Sequence, residues 1–131
     1  MPSLFTQIIN RDLSAHIVAE TENYIAFLDI RPLAKGHTLV VPKKEVDYVF
    51  DLDDETLVGL VLFAKQVAQG IQKVIPCLRV GMTVVGLEVP HAHLHLVPLN
   101  DLYDIDFKKP KLQLSEAELG EVADQLRVAI D

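Results

Sequence analysis

Residues 90–99 read PHAHLHLVPL, which puts His91, His93 and His95 at every second position with apolar residues between them. The chain has five histidines, and three of them are here. Imidazole titrates near neutral pH and can bind metal, carry a proton or attack as a nucleophile. Three readings compete. In a strand, alternate residues share a face, so the three imidazoles point one way and Ala92, Leu94 and Leu96 point toward a core. The plainest reading makes them surface histidines on a half-exposed strand, yet strand propensity gives histidine no reason to alternate. A metal reading meets a geometric obstacle. At about 3.3 Å of rise per residue the outer two lie roughly 13 Å apart, whereas zinc needs each nitrogen within about 2.1 Å. A flat strand then offers two ligands, and His37 or Glu88 would have to complete the set. In the catalytic reading the central imidazole attacks while its neighbours position substrate and stabilise developing charge. No Gly-x-Ser-x-Gly elbow serves acyl chemistry. A histidine phosphoramidate forms and hydrolyses readily, which suits a phosphoryl or nucleotidyl centre. The catalytic reading leads.

The elements that must position these residues are legible from pattern. SLFTQIIN reads as a short helix capped by Ser3, with Leu4, Ile8 and Phe5 facing inward. HIVAET and YIAFLD read as strands around a turn at Glu22–Asn23, DIRPLAKG as a loop, and HTLVVP as a buried strand. From Asp53 or Asp54, Leu57, Leu60, Val61, Ala64, Val67, Ala68, Ile71 and Val74 recur at three- and four-residue steps, which predicts a long helix stopped by Pro76. RVGMTVVG and HAHLHLVPL read as two further strands. SEAE at Ser115 has the form of a capping box opening a last helix to about Ile130, and NDLYDIDFKKPKL before it reads as an extended surface loop. Five strands with helices between them predict an α+β fold on a five-stranded antiparallel sheet. On the long helix, Val58, Leu62 and Phe63 exceed what one sheet face requires, which predicts a two-fold interface and a homodimer.

The whole chain narrows the classes. Its 131 residues predict one domain spanning 1–131, and its 50% hydrophobic and 24% charged residues fit a globular protein. A net charge of −7 argues against nucleic acid or anionic membranes as partners. No apolar run approaches the roughly 20 residues of a membrane span. The first residues lack the basic-then-apolar pattern of a signal peptide, which predicts a cytoplasmic protein. Cys77 is alone and reads as a small buried hydrophobe; His16 reads as solvated at a strand start; Lys35, Lys43 and Lys44 read as a solvated edge.

His91-Ala92-His93-Leu94-His95-Leu96-Val97 resembles the signature of the histidine triad (HIT) family, and residues 4–44 resemble its Hint branch through the DI-x-P loop and the GH-x-LVVPKK strand. The resemblance implies a dimeric α+β fold that binds a purine nucleotide and hydrolyses or transfers a nucleoside monophosphate. By position it makes His93 the nucleophile and gives His95 the phosphate oxygens and leaving group. It has His91 orient the nucleophile, partly through its carbonyl, and His37 relay protons. It places Asp29 on the ribose hydroxyls, puts Leu4, Phe5, Ile8, Phe27, Ile30 and Leu39 around the base, and brings Gly86, Glu88 and Val89 to the phosphate. It implies no cofactor and no metal at the histidines.

Two departures matter. Gly86-Leu87-Glu88-Val89 stands where family members often carry Gly-Gln-Ser-Val, so two phosphate-directed side chains are missing and a carboxylate is added. Ser3 and Thr6 stand where many bacterial relatives carry a Cys-x-x-Cys zinc pair, so no structural zinc is expected. Two readings rival the covalent enzyme: a module that holds a purine nucleotide without turnover, because the departures around Glu88 weaken catalysis, and a metal-dependent hydrolase with zinc at the histidine face.

Overall fold

The computed structural model describes residues 2–130. The elements run α1 (Leu4–Ile9), β1 (Ile17–Glu20), β2 (Tyr24–Leu28), β3 (Thr38–Pro42), α2 (Asp54–Val74), β4 (Arg79–Thr83), β5 (Leu94–Leu99) and α3 (Glu116–Ile130). The strands form one five-stranded antiparallel sheet, as the sequence predicts, and their order is β1-β2-β3-β5-β4.

Strand alternation divides the core into two layers. Ala26, Val40 and Leu94 pair across β2, β3 and β5, and their face packs with Leu60, Phe63, Val67 and Ile71 of α2 and with Leu119, Val122 and Leu126 of α3. The opposite face carries the rows Ile25–Val41 and Phe27–Leu39–His95, and Phe5 of α1 covers it. Asp53 caps α2 by accepting from the Thr56 N–H, and Pro76 follows its last turn. At α3, Ser115 accepts from the Glu118 N–H while the Glu118 carboxylate accepts from the Ser115 N–H, which is the reciprocal capping box.

Several expectations need correction. β5 starts at Leu94, so of the three histidines only His95 lies in the strand; His91 to His93 follow a bent path set by tertiary bonds such as Ala92 N–H to Val46 O at 2.7 Å. β4 ends at Thr83, leaving Val84 and Val85 exposed. In α1 it is Phe5 that turns inward, while Leu4 is 54% exposed, because six residues are too few to fix a helical phase from pattern. On α2, Phe63 belongs to the core, where it stacks with Tyr24, whereas Val61 is exposed. Cys77 is only partly buried, and His16 bonds the Glu116 carboxylate at 2.9 Å. Lys43 and Lys44 are paired with Glu20 and Asp53. The segment after β5 contains a short 3-10 turn at Leu102–Ile105, and its next residues turn back onto the histidines.

Candidate active site

Register explains why residues distant in sequence meet. Leu28 and Thr38 are partners, so Asp29 and His37 come next at the joined end of β2 and β3, and the Asp29 N–H donates to the His37 carbonyl at 3.1 Å. Counting by twos, Asp29 shares a face with Phe27, and His37 shares one with Leu39 and His95. The loop before His37 closes through Gly36, whose φ of 96° lies in the left-handed region and where a Cβ would meet the Ile75 side chain at 2.8 Å.

Four imidazoles are buried here, and their partners fix where each proton sits. His91 Nε2 faces the Pro42 carbonyl at 2.7 Å; a carbonyl only accepts, so Nε2 carries the proton. His91 Nδ1 is therefore bare and accepts from the Ser3 hydroxyl at 2.7 Å. His93 Nδ1 donates to the His91 carbonyl at 2.7 Å, which leaves His93 Nε2 with a free lone pair. His37 Nδ1 accepts the Leu33 N–H at 3.0 Å, so its proton is on Nε2, which donates to His95 Nδ1 at 3.0 Å. His95 then keeps its proton on Nε2. Among the described residues neither His93 Nε2 nor His95 Nε2 has a hydrogen-bond partner, and no buried side-chain nitrogen or oxygen lacks one. These two nitrogens, a lone pair and an N–H, therefore both reach solvent.

Burial is the main cause that holds all four rings neutral. It pushes His37 down to about 3, aided by the neighbouring His95, and His95 down to about 4, aided by His93 and Lys111. His91 and His93 are lowered as well, again chiefly by burial. Asp29 moves up, because burial outweighs the Arg31 N–H that its carboxylate accepts.

The other expected residues divide into two groups. Phe5 sets its ring edge-on to His93 at 4.9 Å and to Phe27 at 5.3 Å, and Phe27 and Leu39 are buried beside it with Ile8 and Val89 packed around them. Leu4 and Ile30 are exposed at 54% and 62%. Gly86 has a φ of 72° with open space where a Cβ would sit. Glu88 is exposed, accepts no backbone N–H among the described residues, and its charge reaches His93 and Asp29.

Two sets of residues escape sequence reasoning. Glu45 accepts from the Ser3 N–H at 2.7 Å and the Thr6 hydroxyl at 2.6 Å, which ties α1 to the bonds of His91. Phe107 sets its ring against His95 at 4.8 Å and His37 at 6.1 Å, and the Lys111 ammonium donates to the Phe107 carbonyl at 2.6 Å. Neither set follows a period or a motif. The Ser-x-x-Thr spacing is the one signal that pointed toward the first.

The donor sets also bear on metals. Asp29, His37 and His95 offer ligand atoms within 4.8 Å of one another. The Leu33 N–H occupies His37 Nδ1, however, so His37 Nε2 holds its proton and presents no lone pair. At Ser3 and Thr6 neutral hydroxyls are committed to His91 and Glu45, which does not fit a thiolate-type zinc site.

A family model described as HIT domain matches residues 10–102. The chain belongs to the HIT family. An uncharacterized HIT-like protein of Methanocaldococcus jannaschii is 33% identical over 129 residues, covering 95% of this chain and 98% of its own. The adenosine 5'-monophosphoramidase of Schizosaccharomyces pombe is 29% identical, with 96% of each chain covered. A crystal structure of a HIT-like protein from Bartonella henselae superimposes with a TM-score of 0.84 at 27% identity, covering 97% of this chain and 95% of that one. The HIT model stops before Phe107 and Lys111. No helix among the described residues is long and apolar enough to cross a membrane.

Proposed function

We propose that this HIT protein is a purine nucleotide hydrolase or transferase that works through a nucleotidyl–His93 intermediate. The observation that carries the reading is the His93 tautomer: Nδ1–H is committed to the His91 carbonyl, and Nε2 is bare beside solvent. His93 Nε2 bonds to the α-phosphorus as the bond to the leaving group breaks, and the leaving group departs with the electron pair. The positive charge that develops on the ring is stabilised by the His91 carbonyl, and His95 Nε2–H donates to the phosphate oxygens. Water, or another acceptor, then displaces His93, and the surplus proton passes to solvent. Asp29 takes the ribose hydroxyls, Phe5, Ile8, Phe27 and Leu39 wall the base, Leu4 and Ile30 offer it exposed apolar surface, and Gly86, Glu88 and Val89 lie along the phosphate. The phosphoramidase among the relatives supports nucleotide hydrolysis. The exposed Val58, Val61 and Leu62 of α2 support a homodimer, which sedimentation at micromolar concentration tests. The reading includes a cytoplasmic location and needs no cofactor.

Rapid quench of a labelled adenylate substrate should trap covalent nucleotide on the wild type and none on His93→Ala, with nucleotide affinity within about tenfold, or about 1.4 kcal/mol. Full turnover by His93→Ala would end the covalent mechanism. The sequence Gly86-Leu87-Glu88-Val89 favours a second reading, a binding module, because two phosphate-directed polar side chains that would assist catalysis are missing there. Tight nucleotide binding without any single turnover would select it.

A further inference from the structure

We propose that Phe107 is a positioning residue: it seals the hydrogen bond between His37 and His95 from water and so holds the His95 Nε2–H toward substrate. The inference rests on the nucleotidyl-transfer reading above and adds to that site a residue from outside the stretch that the HIT model matches.

The three rings stand in a triangle. Centre to centre, Phe107 lies 4.8 Å from His95 and 6.1 Å from His37, and the two imidazoles lie 5.3 Å apart. The phenyl ring is close to perpendicular to both, at 74° and 81°. It therefore stands against the 3.0 Å bond from His37 Nε2–H to His95 Nδ1. A phenyl ring has no conventional donor or acceptor, so it keeps water from that bond without competing for either nitrogen. A hydrogen bond shielded from water is also stronger than one that water can reach. The other nitrogen of His95 has no partner among the described residues and reaches solvent. With one side sealed and the other open, the ring is left one orientation, with its N–H outward.

The strap that carries Phe107 is fastened on both sides of it. Before it, the Asp104 carboxylate accepts from the Asn100 N–H at 2.7 Å. Ile105 packs so near Gly81 of β4 that a Cβ there would meet its side chain at 3.2 Å. After it, the Lys111 ammonium donates to the Phe107 carbonyl at 2.6 Å. The Leu112 N–H then donates to the Pro32 carbonyl at 2.8 Å, in the loop between Asp29 and His37. The strap also brings charge. Lys109 and Lys111 oppose a proton on His37, and Lys111 opposes one on His95. The His93 ring, 4.9 Å from His95, acts in the same direction. Asp29, with a carboxylate oxygen 3.7 Å from His37 Nε2, is the opposing charge, and burial raises its own pKa. A covering ring and two ammoniums thus reinforce the neutral state that burial imposes on the pair.

The test follows the imidazole ¹⁵N resonances through a pH titration of wild type, Phe107→Ala, Phe107→Leu and Lys111→Gln, with no ligand present. His95 should titrate at about 4 in the wild type. Its midpoint should rise by about one pH unit or more in Phe107→Ala, and by about half of that or less in Phe107→Leu, which keeps most of the bulk. It should also rise in Lys111→Gln, which loses the clasp on Phe107 and a cation. On adenosine 5'-monophosphoramidate, Phe107→Ala should lower kcat at pH 7 by about tenfold with KM within about threefold, and Phe107→Leu should recover most of the rate. An unmoved His95 midpoint in Phe107→Ala, an equal rise in Phe107→Leu, or an undiminished kcat would overturn the proposal. If the wild type turns over no adenylate, the nucleotidyl-transfer reading fails, and the titration alone decides the role of Phe107. Should Phe107→Ala fail to fold, the Lys111→Gln midpoint decides: a rise supports the strap, and none refutes it.

Discussion

His91 and His95 are identical side chains four residues apart, and the fold uses them in opposite ways. Both nitrogens of His91 are consumed inside the protein, by Ser3 and by the Pro42 carbonyl. That ring is a fastener: it ties α1 and the end of β3 together and sets the carbonyl that receives the His93 proton. His95 has one nitrogen consumed, by His37, and its other N–H reaches solvent. The same alternating sequence thus produces a closed end and an open end, and what separates them is which acceptor each ring meets. Substitutions at the closed end should appear in stability, and those at the open end in rate.

The largest expected effect is at the open end. His95→Ala removes the ring N–H that the proposed mechanism gives to the phosphate oxygens and should lower kcat by about 10²–10³ with little change in melting temperature. A comparable fall in stability would erase the distinction between the ends. His37→Ala frees His95 to change tautomer, and a kcat loss on the order of tenfold is expected, smaller than for His95→Ala. At the closed end, Ser3→Ala leaves a buried acceptor on His91 and removes the cap of α1, for a loss of about 2 kcal/mol in thermal or denaturant unfolding. Its nucleotide affinity should stay within about threefold. An undiminished melting temperature would show that the Ser3–His91 bond does not fasten the end. Glu45→Gln keeps the shape and weakens only the exposed tie to Ser3 and Thr6, so its drop in melting temperature should be smaller than that of Ser3→Ala.

Acid bears on both ends, because burial lowers His91 as well as His37 and His95. His37 sits at about 3 in the fold against about 6.5 when unfolded, so below pH 6.5 the unfolded chain binds a proton that the fold refuses. Its contribution to stability is intact above pH 6.5 and is lost as pH falls toward 3. The stability difference between wild type and His37→Gln should therefore decline with acidification, by up to about 1.4 kcal/mol per pH unit. A difference independent of pH between 7 and 4 would mean that His37 titrates normally.

Much of this was readable from the chain. Asp53 and Pro76 bound α2, Ser115 and Glu118 cap α3, and alternation gave the two faces of the sheet, since each is a local signal with a fixed offset. Within the site, the alternating histidines and the HIT pattern pointed to His37, His91, His93 and His95 together. The start of β5 was misread because His91 to His93 are drawn aside by Ser3, Pro42 and Val46, and nothing local encodes that pull. Phe107 and Lys111 were invisible because an irregular segment has no period to read. Glu45 was invisible because its partners lie 39 and 42 residues away.

The proton positions underlie every role assigned above, and ¹⁵N–¹H correlation spectra of the imidazole rings at pH 7 test them most directly. His37, His91 and His95 should each be protonated on Nε2, and His93 alone on Nδ1. A His93 ring protonated on Nε2 would have no free lone pair toward substrate and would contradict the nucleophile; a His95 ring protonated on Nδ1 would break the relay from His37.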